Sequence, residues 1–270
     1  MFVVRGFGNA MAAVALLAGG VAFAQSSAVT PVLVELFTSE GCSSCPPADE
    51  LLRKLNGLKT ERGQVIVALS EHVTYWNRLG WADPFSSEIF TQRQNTYGDR
   101  FHLDSVYTPQ VVVNGDREVL GSDGNAVLRA VQAQGGMTRD KLKIVSVVPD
   151  HEALIVTYEA EGPMSERHVH LYAALADDMD SSRVSRGENA GHVLQHVAVV
   201  RSLVTMDTLQ VGGPITVRLP AAARGPTKPG ASMHLVLFAQ DVGQGKVLAT
   251  AVSALPVPGA TDNASVAAVH

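Results

Sequence analysis

The chain has only two cysteines, Cys42 and Cys45, and they stand in a C-x-x-C spacing. An apolar run (Val32, Leu33, Val34, Leu36, Phe37) leads into a Thr38-Ser39-Glu40-Gly41 turn. Cys42-Ser43-Ser44-Cys45 follows, and a helix is predicted from there to about Leu58. This spacing keeps both sulfurs within one helical turn, so they can close a small disulfide. A helix N-terminus beside them offers unpaired N–H groups and partial positive charge, which favour a thiolate at Cys42. A C-x-x-C at a strand-to-helix junction points to thiol–disulfide exchange. Such a ring ties together only four residues, so as a structural crosslink it stabilises little. The expected catalytic pair is Cys42 and Cys45, with Cys42 the more exposed sulfur and Cys45 resolving the mixed disulfide.

The elements that must hold this pair are readable in order. Val29 to Phe37 reads as a buried, β-branched strand. Glu35 within it is a candidate proton relay for the buried sulfur, or else a carboxylate paired with a nearby Lys or Arg. Pro46 and Pro47 suit a first helical turn, with Cys45 as N-cap. Val65 to Leu69 is a second buried strand ending near His72, a candidate proton shuttle or metal ligand, or a hydrogen-bonded structural histidine. An aromatic segment with Tyr75 and Trp76 leaves that strand end, where open sheets place ligands. A helix is predicted from Ser86 to about Arg100. Thr108-Pro109 precedes the strand Val111 to Val113, Asn114-Gly115 makes a hairpin turn, and Ser122 or Asp123 caps a helix to about Gln134.

From Leu142 the pattern changes to short runs separated by Gly-Pro and Pro-Gly turns: 143–147, 153–158, 168–174, 193–204, 215–219, 234–239 and 247–252. Such strands without helices suggest a β-sandwich-like domain. Between two of them lies a polar loop with Arg186, Glu188 and Asn189, expected to contact the redox domain or a partner. His192 and His196 fall on one face of a strand, too few donors for zinc.

Length and charge narrow the class further. The chain of 270 residues carries a net charge of -5, which gives no electrostatic footprint for nucleic acid. Met1 to Ala24 has a positive start, a short apolar core and an Ala-x-Ala end, the pattern of a secretory signal peptide. Its apolar stretch is shorter than the about 20 residues that span a bilayer. The expected protein is therefore exported, periplasmic or secreted, with no stable membrane span after cleavage.

Strand, helix, strand, helical insert, Thr-Pro, hairpin and helix resemble the thioredoxin order over about Val29 to Gln134. That resemblance implies a cis bond before Pro109 and a substrate chain held by Thr108, Pro109, Tyr75 and Trp76. More specifically, LVELFTSEGCSSCPPAD, HVTYWNRLGWADPFSSEIFTQRQ, YTPQVVVNG, RGENAGHVLQHVAVVR and FAQD resemble an exported bacterial family known as domain of unknown function twelve-twenty-three. The expected fold class is an α/β thioredoxin-like domain with a helical insert (29–136), followed by a β-sandwich-like domain (141–256). Residues 1–24 would be the signal peptide and 257–270 a disordered tail. The expected activity is thiol–disulfide oxidoreduction with a protein thiol or disulfide partner and no cofactor beyond the Cys42–Cys45 disulfide. Two alternatives stand beside it. One is a non-enzymatic binding protein with a structural disulfide; the other is a copper-handling protein using Cys42, Cys45 and His72.

Overall fold

The structure is a computed structural model and describes residues 29–134, 140–151, 153–166, 168–220 and 232–255. The proposed signal segment and tail lie outside these residues. The elements are β1 (Thr30–Thr38), α1 (Pro46–Leu55), β2 (Gln64–His72), α2 (Glu88–Phe101), β3 (Gln110–Val113), β4 (Arg117–Leu120) and α3 (Gly124–Ala133). Then follow β5 (Lys141–Asp150), β6 (Ala153–Glu161), β7 (Val169–Arg183), β8 (Val193–Thr208), β9 (Gly212–Pro220), β10 (Met233–Asp241) and β11 (Val247–Ala254).

The expected fold class fails here. Eight strands form one mixed sheet in the order β11-β10-β7-β8-β2-β1-β3-β4, and only β5, β6 and β9 stand apart as a three-stranded sheet. The strands assigned to a separate sandwich thus join the sheet that carries the cysteines. The seam is β2–β8, where Ser70 lies opposite Val199 in parallel pairing. The protein is a mostly β structure with a continuous mixed sheet, not a thioredoxin-like α/β domain followed by a sandwich.

The physical reason lies in β7 and β10. On β7, Leu171, Ala173 and Leu175 pack with Leu154, Val156 and Leu219 of the small sheet. Their neighbours Tyr172, Ala174 and Ala176 pack on the opposite face with Leu33, Leu69 and Phe90. A strand buried on both faces reads as a continuous apolar run. A sandwich strand would alternate between apolar and polar residues.

The sheet is covered on both sides. Ala48, Leu52 and Leu55 of α1 and Val127, Ala130 and Val131 of α3 pack on Val32, Val34, Leu36, Ile66 and Ala68. On the other side α2 lays Phe90 across the seam. β1 pairs in parallel with β2 from Thr30–Gln64 to Thr38–His72 and antiparallel with β3. The Asn114-Gly115 turn has both residues at positive φ, as a tight hairpin demands. Asp123 caps α3 by accepting from the Ala126 amide at 2.9 Å.

Candidate functional site

β1 ends at Thr38, and the chain turns through Ser39 to Ser44 into α1. Cys42 and Cys45 are joined by a disulfide. Cys45 is the N-cap, with Pro46 and Pro47 in the first turn, and its carbonyl accepts from Ala48 N at 2.8 Å. Both sulfur residues are 0% exposed, so Cys42 is not the more accessible of the two. Ser43 and Ser44 between them are exposed.

The Thr108–Pro109 bond is cis, and the Thr108 carbonyl oxygen lies 3.9 Å from Cys42 Sγ. Trp76 Nε1–H donates to Thr108 Oγ1 at 2.8 Å, and Tyr75 OH donates to Gln94 Oε1 at 3.2 Å. Gln94 in turn donates to the Tyr107 carbonyl at 2.7 Å. The two aromatics and α2 therefore fix the cis-proline loop against the disulfide. Burial raises the Tyr75 phenol above its ordinary range, so it stays a neutral donor.

Arg186, Glu188 and Asn189 sit on the loop joining β7 to β8. The Asn189 amide donates to the Glu40 carbonyl at 2.9 Å and to the Cys42 carbonyl at 3.0 Å. Glu188 Oε2 accepts from Ser43 N at 3.1 Å. Arg186 is exposed. Glu188 and Asn189 of this loop thus contact the backbone of the C-x-x-C turn.

The two candidate proton relays are placed apart from that ring of contacts. Glu35 is buried and accepts from Arg93 Nε at 2.6 Å and from Tyr97 OH at 2.7 Å. Arg93 also donates to Gln240 Oε1 at 3.0 Å and lies over the rings of Tyr97, Tyr172 and Phe238. Glu35 is the carboxylate of a core ion pair. Glu71 lies beside it, 3.8 Å from Arg93 Nε, with no donor on either oxygen. Burial, added to the Glu35 charge, pushes Glu71 well above the usual carboxylate range, with Arg93 opposing. His72 is also buried, with Nδ1 2.7 Å from Asp83 Oδ2. Burial works against the Asp83 charge. His72 and the amides of Glu40 and Phe85 outweigh it and hold Asp83 below its ordinary range.

Four residues of the site carry no sequence signal as strong as the cysteines: Glu40, Asp49, Asp83 and His196. Glu40 is wholly buried two residues before Cys42. Its carboxylate accepts from Trp81 Nε1 at 2.8 Å, from Ser182 Oγ, and lies 3.2 Å from His196 Nε2. Its amide donates to Asp83 Oδ2 at 2.8 Å. Asp49, one helical turn beyond Cys45, accepts from Thr38 Oγ1 at 2.9 Å and lies 3.7 Å from His196 Nδ1. Burial draws the His196 imidazole down, but the Asp49 and Glu40 carboxylates outweigh it and push it up to about 10. His196 is therefore an imidazolium bracketed by acids on both sides of the C-x-x-C, with the His72 ring edge-on at 4.7 Å. The available signal was an acid flanking each side of the cysteine pair and a histidine inside an apolar strand. Among the described residues no group of three or more His, Cys, Asp and Glu is gathered for a metal. No described helix is long and apolar enough to cross a membrane.

These features define a mixed-sheet protein with a buried four-residue disulfide ring held between a cis-proline loop and a hairpin loop. The chain belongs to the family described as Protein of unknown function (DUF1223), which matches residues 33–240. It is similar to a crystal structure of a protein from Agrobacterium tumefaciens, at 27% identity and a TM-score of 0.62, covering 87% of this chain and 98% of that one. It also shares its fold with HBP35 of Porphyromonas gingivalis, at 14% identity and a TM-score of 0.61, covering 90% and 80%. A comparison with curated proteins gives no match.

Proposed function

We propose that the protein is a thiol–disulfide oxidoreductase that exchanges Cys42–Cys45 with the thiols of a partner protein outside the cytoplasm. The observation that carries this reading is the Thr108 carbonyl beside Cys42 Sγ, at 3.9 Å across a cis Thr108–Pro109 loop. Peptide groups lying against a disulfide in a four-residue ring can align an extended chain whose cysteine attacks it. In the reducing direction for this pair, a partner thiolate attacks Cys42 Sγ and forms a new S–S bond. The Cys42–Cys45 bond breaks, and Cys45 leaves as a thiolate that takes up a proton. A second partner thiolate then attacks its own mixed-disulfide sulfur and releases Cys42. The partner dithiol is oxidised and the Cys42–Cys45 pair gains two electrons. The reverse sequence oxidises Cys42–Cys45 and reduces a partner disulfide. The signal-like segment at residues 1–24 supports placement in an oxidising compartment.

One observation favours a second reading, in which the disulfide is purely structural: both sulfurs are fully buried. One measurement separates the two. Equilibration in glutathione buffers with thiol counting should give a potential near or above about -200 mV for an exchanging oxidant. A value well below about -300 mV together with no exchange toward a dithiol peptide would leave the structural reading. In the same assay Cys42→Ser should abolish exchange.

A further inference from the structure

We propose that Glu188 and Asn189, on the β7–β8 loop, are positioning residues that close over Cys42 and suppress its thiolate until a partner displaces Glu188. The inference rests on the exchange reading and specifies what controls that site.

The docked position of the loop is well defined. Asn189 is 7% exposed and uses its side-chain amide on two carbonyls, those of Glu40 and Cys42, which fixes the backbone on either side of Gly41. Gly187 has φ +79°, and a Cβ there would come within 3.2 Å of Trp81 Cβ. Trp81 is itself tied to Glu40. Glycine thus permits both the turn and the close seat.

Glu188 acts differently. Its carboxylate is solvent-exposed and accepts from the Ser43 amide. Hydrogen bonds from Ser43 hold Glu188 below the usual carboxylate range, so it is charged at neutral pH. The Ser43 N–H lies in the turn two residues before the Cys45 N-cap and belongs to the residue next to Cys42, so it is a donor close to a sulfur that would become anionic. A carboxylate there occupies the donor and adds like charge beside a sulfur that must become negative. The other charged groups around the cysteine loop are Glu40 in the turn, Asp49 on α1, His196 on β8 and the Asp83–His72 pair. All are buried and charge-paired: Glu40 and Asp49 with His196, and Asp83 with His72. Glu188 is the exposed member, so a partner strand can displace it without breaking the core. Asn189, buried, is the fixed end of the latch. Release of Glu188 frees the Ser43 amide and takes a negative charge away from the residue next to Cys42, while Asn189 stays on the Glu40 and Cys42 carbonyls.

The test compares wild type with Glu188→Gln, which keeps an acceptor for Ser43 but removes the charge. After reduction, the pH dependence of Cys42 alkylation by iodoacetamide is measured, followed by the glutathione equilibrium. Removing an exposed charge held on the Ser43 amide should lower the alkylation midpoint of Cys42 by about 0.6 pH units, a fourfold change in its acid dissociation. At a pH above that midpoint the glutathione equilibrium should shift toward the dithiol by about fourfold. Asn189→Ala should alkylate faster still. An unchanged midpoint and an unchanged glutathione equilibrium in Glu188→Gln would overturn the proposal, because a merely structural contact would alter only the melting temperature. If wild type exchanges with neither glutathione nor a dithiol peptide, the functional reading fails by itself. The alkylation midpoints then still decide the role of Glu188.

Discussion

The most direct consequence of the buried site concerns His196 and alkaline pH. The imidazolium lies between Glu40 and Asp49, which push its pKa from an ordinary 6.5 up to about 10. Because the folded value lies above the unfolded one, the stabilisation is fully present below about 6.5. It is lost as the pH rises through about 10. At ~1.4 kcal/mol per pH unit, that displacement corresponds to roughly 5 kcal/mol as an upper bound. Water penetration and movement of Glu40 and Asp49 as the ring loses its proton would reduce it. Even half would be a large part of the stability of a typical domain. The groups facing the ring are Glu40, Asp49, His72 and Phe85, and the cysteines, being in a disulfide, do not titrate. The assay is urea unfolding of the oxidised protein at intervals from pH 6 to 10, with His196→Gln alongside. The stability gap between wild type and variant should shrink steadily over that range, while other titrating groups cancel in the difference. Two curves falling in parallel would refute the charged His196 and the reasoning built on it.

Two further outcomes follow from the Arg93 cluster. Glu35→Ala should destabilise the protein by about 3–5 kcal/mol, since it leaves a buried guanidinium without its main partner. Chemical denaturation reads this directly, and a loss below about 1 kcal/mol would show that Glu71 takes over the pair. Glu71→Gln should remove a pH dependence of the opposite chemical kind, that of an acid held neutral. Wild type should match the variant near pH 4 and lose stability relative to it as the pH rises through the raised Glu71 value. A gap that does not change with pH would mean that Glu71 is ionised in the core.

Much of the secondary structure was legible from local pattern. Every strand except β4 (Arg117–Leu120) contains an apolar run that marks it, because each buries at least one face in the core. The turn at Asn114-Gly115, the Cys45 cap and the Asp123 cap were readable for the same local reason. Pairing was not legible in that way. The runs at 168–174 and 234–239 identify strands but do not name their partners. One clue was present: Leu171-Tyr172-Ala173-Ala174-Leu175 is apolar at every position, which suits the middle of a sheet buried on both faces better than a sandwich. The site divides along the same line. Cys42 and Cys45 follow from spacing and Thr108 and Pro109 from the thioredoxin resemblance, whereas the Glu40–His196–Asp49 cluster depends on a strand more than 140 residues downstream of the cysteines. Local reasoning left Glu35 between a proton relay and a carboxylate paired with a Lys or Arg, and His72 between a shuttle or metal ligand and a hydrogen-bonded structural histidine. Tertiary structure gave Glu35 to Arg93 and His72 to Asp83.

The continuous sheet also ties the C-x-x-C turn and the β7–β8 loop that contacts it into one body. Were β7 and β8 part of an independent domain, the Glu188–Ser43 and Asn189–Cys42 contacts would be interdomain contacts, loosened by any rigid-body motion. Instead β8 meets β2 at Ser70–Val199, and three residues before Val199 the same strand places His196 against Glu40. Beyond its other end, β7 is locked to β10 from Met233 to Asp241. The stem of the loop is therefore anchored in the core, and freedom is confined to its exposed tip. That arrangement favours a local opening at Glu188 over a swing of half the molecule. It also requires that Cys42 become reactive through a change confined to a few residues, with the sheet beneath it unaltered. Hydrogen exchange should locate that change: the Ser43 amide should exchange far faster than the amides of β1 and β2. Equal protection at Ser43 and in those strands would show that the latch opens only when the fold does.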